Sequence, residues 1–381
     1  MYFERIKTMN IFEKLVVRGF RRLASVDIPL KPLNVLIGAN GSGKTSLLDV
    51  FTLLAASATG SLSKTTSDMG GIRANITNLG SSDCSGIEFK LARKVPGQNP
   101  IEYELRVEPQ GVDYTIANEQ LRQDRGYSNS MLYVTSSRGY VQYFEPTIER
   151  KLVRPTWEYN PTESALSQVP RMFAEPEEFR RQLASSTHYH VLDVSPKAPV
   201  RQPQTMRNAM LPGRNGEDLV SCLYMIRETN EALFETIQDT LRAGFPNFEK
   251  LYFPPVAAGT MAMTWKDKTS PNSFYMHQLS EGTLRFLWLV TLLQSPGLTS
   301  MTMIDEPEVS LHPELLSLLA DLFREASSRT QLIIATHADR LVRFLKPAEV
   351  ITTNIDEDGS SSFQWGDSFD LDGWLEDYFH H

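Results

Sequence analysis

The eight residues Gly38 to Thr45 read GANGSGKT and follow directly on the apolar run LNVLI. No other stretch constrains the fold as strongly. Glycines at this spacing let the main chain curl tightly enough to aim successive N–H groups at phosphate oxygens, and a following helix adds its positive end. Lys44 then reaches the terminal phosphates, and Thr45 can place its hydroxyl on Mg²⁺. Leu33 to Ile37 read as a short buried strand and Lys44 to Leu54 as an amphipathic helix, the strand, loop and helix that the pattern needs. Nucleotide binding is the first implication.

Length and composition bound the rest. The 381 residues suffice for one large domain with an elaborate insertion, or for two domains. Cys84 and Cys222 are the only cysteines, too few for a disulfide framework and consistent with a reducing compartment. The opening MYFERIKTMNIF lacks the basic start, apolar stretch and cleavage site of a secretory leader, and Met9 could itself be the start, so a cytoplasmic location is expected. The longest apolar stretch, Leu284 to Leu293, contains Arg285 and Thr291 and is too short to cross a bilayer, so no membrane partner is expected. A formal net charge of −8 argues against a surface that binds nucleic acid everywhere. Arg150, Lys151 and Arg154, and likewise Arg171, Arg180 and Arg181, are interrupted by acidic or apolar residues and read as solvated faces, with a local basic patch left open.

Along the chain, Leu15 to Val17 and Ala24 to Leu30 predict a hairpin leading into the nucleotide-binding strand. Ala58 to Gly86, rich in Ser, Thr and Gly, reads as a long surface connection. Segments alternating with period two, Ile87–Leu91, Ile101–Val107, Val112–Ile116, Met131–Val134 and Tyr140–Phe144, predict an antiparallel sheet, since their connections are too short for crossover helices. Eight prolines between Pro155 and Pro212 predict irregular chain there. Leu219, Leu223, Ile226, Leu233, Ile237 and Leu241 predict one or two amphipathic helices. Beyond Gln278 an α/β pattern resumes, so residues 9–57 and 278–355 are expected to make one sheet, with 80–277 inserted between them and 356–381 as a short acidic C-terminal segment.

Three distal motifs carry chemistry. In MTMIDEPEVSLHP an apolar strand ends in Asp305 and Glu306, and adjacent carboxylates there can divide the work: Asp305 supports magnesium while Glu306 orients and polarises the attacking water. Gln331 to His337, QLIIATH, is another apolar strand, ending in a histidine that could approach the γ-phosphate or be purely structural. In HQLSEGTLRFLWLV, Ser280, Glu281 and Gly282 precede an apolar helix, an arrangement that suits an anion and equally an ordinary N-cap.

The order of a phosphate loop, LSEG before a helix, strand-Asp-Glu-Pro and strand-Thr-His resembles the ATPase heads of the ABC superfamily. The opening VRGFRRLASVDIPLKPLNVLIGANGSGKTSLLD and the later IDEPEVSLHP are similar to its non-transporter branch, the RecF-like, chromosome-maintenance-like and overcoming-lysogenization-defect-like ATPases. The resemblance covers residues 15–57 and 275–345 well and the middle only loosely. It implies an α/β P-loop NTPase head, with a mixed or parallel sheet flanked by helices, and an inserted α+β lid. It also implies ATP and Mg²⁺ as cofactors. Residue by residue, Asn40, Gly41, Ser42, Gly43, Lys44, Thr45 and Ser46 would bind phosphates and magnesium, Asp305 would support the metal, Glu306 would be the catalytic carboxylate and His337 the switch histidine. Ser280 and Gly282 would touch the γ-phosphate of an opposite subunit, which implies a head-to-tail homodimer with two composite sites. The signature reads LSEGTLR rather than LSGGQ, away from transporters, and neither an adenine-stacking nor a glutamine-loop residue can be assigned; Gln168 lies a whole predicted sheet away. The task implied is nucleic-acid maintenance or anti-phage defence, with a nuclease or other separate effector and nucleic acid as candidate partners. The rival readings are an ATP-sensing scaffold with negligible turnover and a transporter's nucleotide-binding subunit.

Overall fold

The computed structural model describes residues 12–79, 82–126, 130–146, 150–170 and 174–379. Residues 9–11 of the expected core, the opening residues read for a leader, and Arg171 lie outside these.

Continuous apolar runs make the central layer. Leu33–Gly38 and Gln331–Thr336 are buried at every position, as strands covered on both faces must be. They lie in a six-stranded sheet in the order Ser186–Tyr189, Met301–Asp305, Gln331–Thr336, Leu33–Gly38, Val350–Ile355, Ser361–Trp365. The first five run parallel, and the last pairs antiparallel with Val350–Ile355.

Alternating patterns build a second layer. Eight strands pair antiparallel throughout, running across the sheet from Lys151–Val153 through Tyr140–Glu145, Met131–Ser137, Asp113–Gln123, Gln98–Gln110 and Ile87–Val95 to Phe12–Phe20 and Leu23–Pro29. The expected antiparallel region is thus present, but the N-terminal hairpin belongs to it rather than to the nucleotide-binding sheet.

The parallel sheet separates two cores by the side-chain period of two. Leu36, Met303, Ile333, Ala335 and Ile351 face the antiparallel sheet across the helix Lys44–Thr59. Leu33, Val35, Ile304, Leu332 and Ile334 face the helices Leu219–Thr229, Glu231–Gly244, Glu281–Gln294 and Leu315–Ala326. The predicted helices between 219 and 241 are therefore part of the packing under the central sheet.

Three departures from the sequence expectation have local causes. The central sheet takes strands Ser186–Tyr189 and Ser361–Trp365, so it does not stop at the boundaries 9–57 and 278–355. The stretch 58–86 is not plain loop: it holds helices Leu62–Asp68 and Ile72–Asn75, with Leu62 and Ile72 buried. The first of these has two of its free N–H groups, on Leu62 and Ser63, capped from a distance by the Glu163 carboxylate at 2.8 and 3.1 Å. Within the proline-rich stretch, Ala174–Ala184 is helical because Pro176 falls in the first turn, where no N–H is needed.

Candidate functional site

The C-terminal ends of three neighbouring parallel strands bring the sequence-predicted residues together. Leu33–Gly38 opens into the phosphate loop, where Gly41 and Gly43 take left-handed backbone at φ 78° and 101°. At Gly43 a side chain is excluded twice over, because a Cβ would also lie 2.5 Å from Ser361 Oγ. Ser42 is buried with its hydroxyl 2.6 Å from Thr353 Oγ1, so its side chain pins the loop to the neighbouring strand. Asn40 and Thr45 are exposed and Ser46 is half-buried.

Lys44 Nζ donates to the carbonyls of Gly38 at 2.5 Å and Ala39 at 2.9 Å, so the ammonium lies folded across the loop. Burial lowers its pKa, opposed by the negative charges of Asp305, Glu306 and Glu308. Thr45 Oγ1 lies 3.5 Å from Asp305 Oδ2. Two hard oxygen ligands at this separation suit Mg²⁺, which keeps several of its waters and takes one or two protein oxygens beside the phosphates. The residues present therefore fit a magnesium-bound nucleotide.

Asp305 ends its strand opposite Ala335, and its carboxyl pKa is raised by burial and then by the adjacent Glu306. Glu306 continues the ladder by one bond, its N–H donating to Ala335 O at 2.8 Å, while its own backbone turns left-handed at φ 48°. A non-glycine residue in that conformation is uncommon and concentrates at functional sites. His337 leaves the adjacent strand half-exposed, with Nδ1 3.2 Å from Glu306 Oε1 and 3.9 Å from Glu308 Oε1. Glu308, from its sequence position the alternative to Glu306 as catalytic carboxylate, has a buried side chain that accepts from Thr336 Oγ1 at 2.6 Å; burial raises its pKa.

Ser280 and Gly282 bond elsewhere. Ser280 caps the helix Glu281–Gln294, accepting from Thr283 N at 3.1 Å, and it is exposed. A Cβ on Gly282 would meet Ser310 O at 2.4 Å, so the glycine permits close packing on the segment that follows Glu306. Arg285 from the next turn bonds Ser310 Oγ and Leu192 O, linking the same segments.

Sequence reasoning missed a histidine pair. The edge strand Ser186–Tyr189 delivers His188 and His190 beside Asp305, with a ligand atom of each of the three within 4.8 Å of the others. His188 is 6% exposed, and burial, then His190 and Arg214, push its pKa down to about 3. The readable signal was the His-x-His of His188 and His190, hidden because the residues before it, Ser185 to Thr187, are polar and do not announce a buried strand. Gln168, by contrast, bonds Asn160 and the carbonyls of Glu163 and Ser164, a loop-closing role. Arg180 is 8% exposed and donates to Leu166 O, Val169 O and Glu177, so it is not a solvated charge as expected. Arg181 is exposed and paired with Glu178.

Residues 33–343 match the protein family described as "AAA domain, putative AbiEii toxin, Type IV TA system". The chain belongs to this family. It thus carries an AAA domain, built on a P-loop NTPase fold. Solved structures agree on the fold. A chromosome-maintenance (SMC) head bound to the C-terminal winged-helix domain of ScpA is similar with a TM-score of 0.57 and 16% identity over 93% of this chain and 97% of that one. An Smc head from Pyrococcus furiosus, with an extended coiled coil and bound to the C-terminal domain of ScpA, gives 0.56 and 13% over 98% and 99%. One from Pyrococcus yayanosii, with a coiled coil and joint, gives 0.54 and 12% over 97% and 99%. No curated protein matches the AAA-family chain. Among the described residues no helix is long and apolar enough to cross a membrane.

Proposed function

We propose that this AAA-family chain is a Mg²⁺-dependent ATPase that works as an ATP-driven dimer switch. The observation that carries the reading is the convergence of Lys44, Thr45, Asp305, Glu306 and His337 at the ends of three adjacent strands. Loop N–H groups and Lys44 hold the phosphates, and the ammonium exchanges its carbonyl partners for phosphate oxygens when nucleotide enters. Thr45 and Asp305 hold magnesium, which, when bound, neutralises charge on the transferring phosphoryl group. Glu306 accepts a proton from the attacking water, and the His337 imidazole beside it orients that carboxylate and reaches toward the γ-phosphate. Ser280 and Gly282, at a helix N-terminus whose cap residue Ser280 is exposed, serve the nucleotide of an opposite subunit and so complete a composite site. Membership of a family described as a putative toxin of a toxin–antitoxin system, and a fold similar to Smc heads that bind ScpA, support a role in defence or nucleic-acid maintenance through a separate effector such as a nuclease.

Two variants test the chemistry. Lys44→Ala should abolish the ATP-dependent rise in melting temperature, which at about 100 times the dissociation constant corresponds to ~2.7 kcal/mol in the parent protein; an undiminished shift refutes the phosphate-loop assignment. Glu306→Gln should keep that shift while turnover falls roughly 10²- to 10⁴-fold, the range for losing a general base. Turnover near that of the parent would move the role to Glu308.

A further inference from the structure

The central sheet ends, at its Ser186–Tyr189 edge, in a cluster whose two histidines the ATPase reading does not use. His188, His190 and Asp305 each offer one ligand atom, and these lie within 4.8 Å of one another. They come from two strands held in fixed register, His188 opposite Met303 and Tyr189 opposite Ile304, so the ends carrying His190 and Asp305 emerge side by side. The two imidazole rings lie 4.1 Å apart.

The second observation is an unmet demand. Nε2 of His188 is buried without a hydrogen-bond partner among the described residues, on a side chain only 6% exposed. A buried ring nitrogen is ordinarily satisfied by protein or water. A buried histidine with an unsatisfied ring nitrogen, a second imidazole and a carboxylate together match the donor set of a divalent transition metal. Imidazole nitrogen is a borderline-soft ligand that Mg²⁺ and Ca²⁺ pass over for oxygen, whereas Zn²⁺ and its neighbours take it readily.

The geometry points to a site for a borderline divalent transition-metal ion of the Zn²⁺ class, held by His188, His190 and Asp305. Ligand atoms at about 2.0–2.1 Å from a tetrahedral ion stand roughly 3.4 Å apart, so closure needs a modest movement, which the exposed His190 ring can make while His188 stays fixed by packing. Three protein ligands leave a position open to water, as at zinc sites that are not purely structural. Asp305 also faces Thr45, so this ion and a nucleotide-bound magnesium would share its carboxylate. Its nearness to a bound nucleotide rests on the ATPase reading; the ion site itself does not.

The test uses the untagged full chain, stripped of metal by chelator. Calorimetric titration with Zn²⁺ should show one equivalent bound per chain, and Co²⁺ should give the intense visible band of a low-coordinate nitrogen–oxygen site. His190→Ala and His188→Gln should each weaken Zn²⁺ binding at least about tenfold, the lower end of what even an outer-shell partner of a metal is worth. Lys44→Ala should leave Zn²⁺ binding unchanged while losing the ATP-dependent thermal shift, so the ion site and the nucleotide reading fail separately. If His188→Gln does not fold, the surface variant His190→Ala decides alone. Zn²⁺ binding at undiminished affinity in His190→Ala, or no binding by the parent chain, overturns the site.

Discussion

His188 illustrates how a single buried side chain can tie stability to pH. Its pKa falls from the usual histidine value of 6.5 to about 3, so the folded protein keeps the ring neutral where the unfolded chain would protonate it. Between those two values the unfolded state binds more protons, and stability therefore drops as pH falls from about 6.5 towards 3. At about 1.4 kcal/mol per pKa unit, the full loss is on the order of 5 kcal/mol. Above pH 6.5 the group contributes no pH dependence. Urea titrations in chelator across this range should show a shallower fall for His188→Gln than for the parent; equal slopes would mean that the imidazole protonates freely in place. Glu306 shows a different constraint, a strained backbone at φ 48° fixed by its N–H bond to Ala335. Its identity and position after an apolar run were readable from the sequence, but its conformation was not, since that depends on the neighbouring strand's carbonyl.

At the scale of elements, the antiparallel sheet is joined to the segment leading back to the central layer through one buried carboxylate. Glu119, at 0% exposure, accepts from Tyr103 Oη at 2.9 Å, Ser164 Oγ at 2.5 Å, and the N–H groups of Ala165 at 2.7 Å and Leu166 at 3.0 Å. It thereby satisfies the start of the short helix Ala165–Gln168 from a strand more than forty residues earlier. Burial raises its carboxyl pKa, and the four donors oppose that shift. Glu119→Ala leaves those donors buried without an acceptor and should cost about 3–5 kcal/mol in denaturant unfolding. A loss below about 1 kcal/mol would mean that water replaces the carboxylate. The strands Ile87–Val95 and Gln98–Gln110 were legible because alternation reports a half-covered sheet. Leu62–Asp68 was not, because its N-terminal cap comes from Glu163 across the fold rather than from its own sequence.

For the whole molecule the decisive question is assembly. Ser280 is exposed and caps its own helix, so a role in catalysis requires a second subunit. In the Glu306→Gln background, ATP and Mg²⁺ should shift the chain to a closed dimer in sedimentation velocity, and Ser280→Arg should prevent this while retaining the ATP-dependent thermal shift. Mixing Ser280→Arg with Lys44→Ala, each inactive alone, places both defects in one composite site and leaves the other intact, so part of the turnover should return. Full activity of Ser280→Arg by itself would reduce Ser280 to a helix cap.

The sequence by itself determined what depends on local order: the phosphate loop, the apolar strands that end in Asp305, Glu306 and His337, the two sheet types and the helices between 219 and 241. Each is written in spacing along the chain, through side-chain periodicity and the special backbone of glycine. Tertiary structure decided which strands share a sheet. It sent the N-terminal hairpin to the antiparallel layer, brought Ser186–Tyr189 to the edge beside Met301–Asp305, and closed the far edge with Ser361–Trp365. It also buried Arg180 and set His188 and His190 against Asp305. The physical reason is common to all of these: a strand's partner, a side chain's burial and a carboxylate's neighbours are fixed by contacts between residues far apart in sequence, and no periodicity in either segment records the meeting.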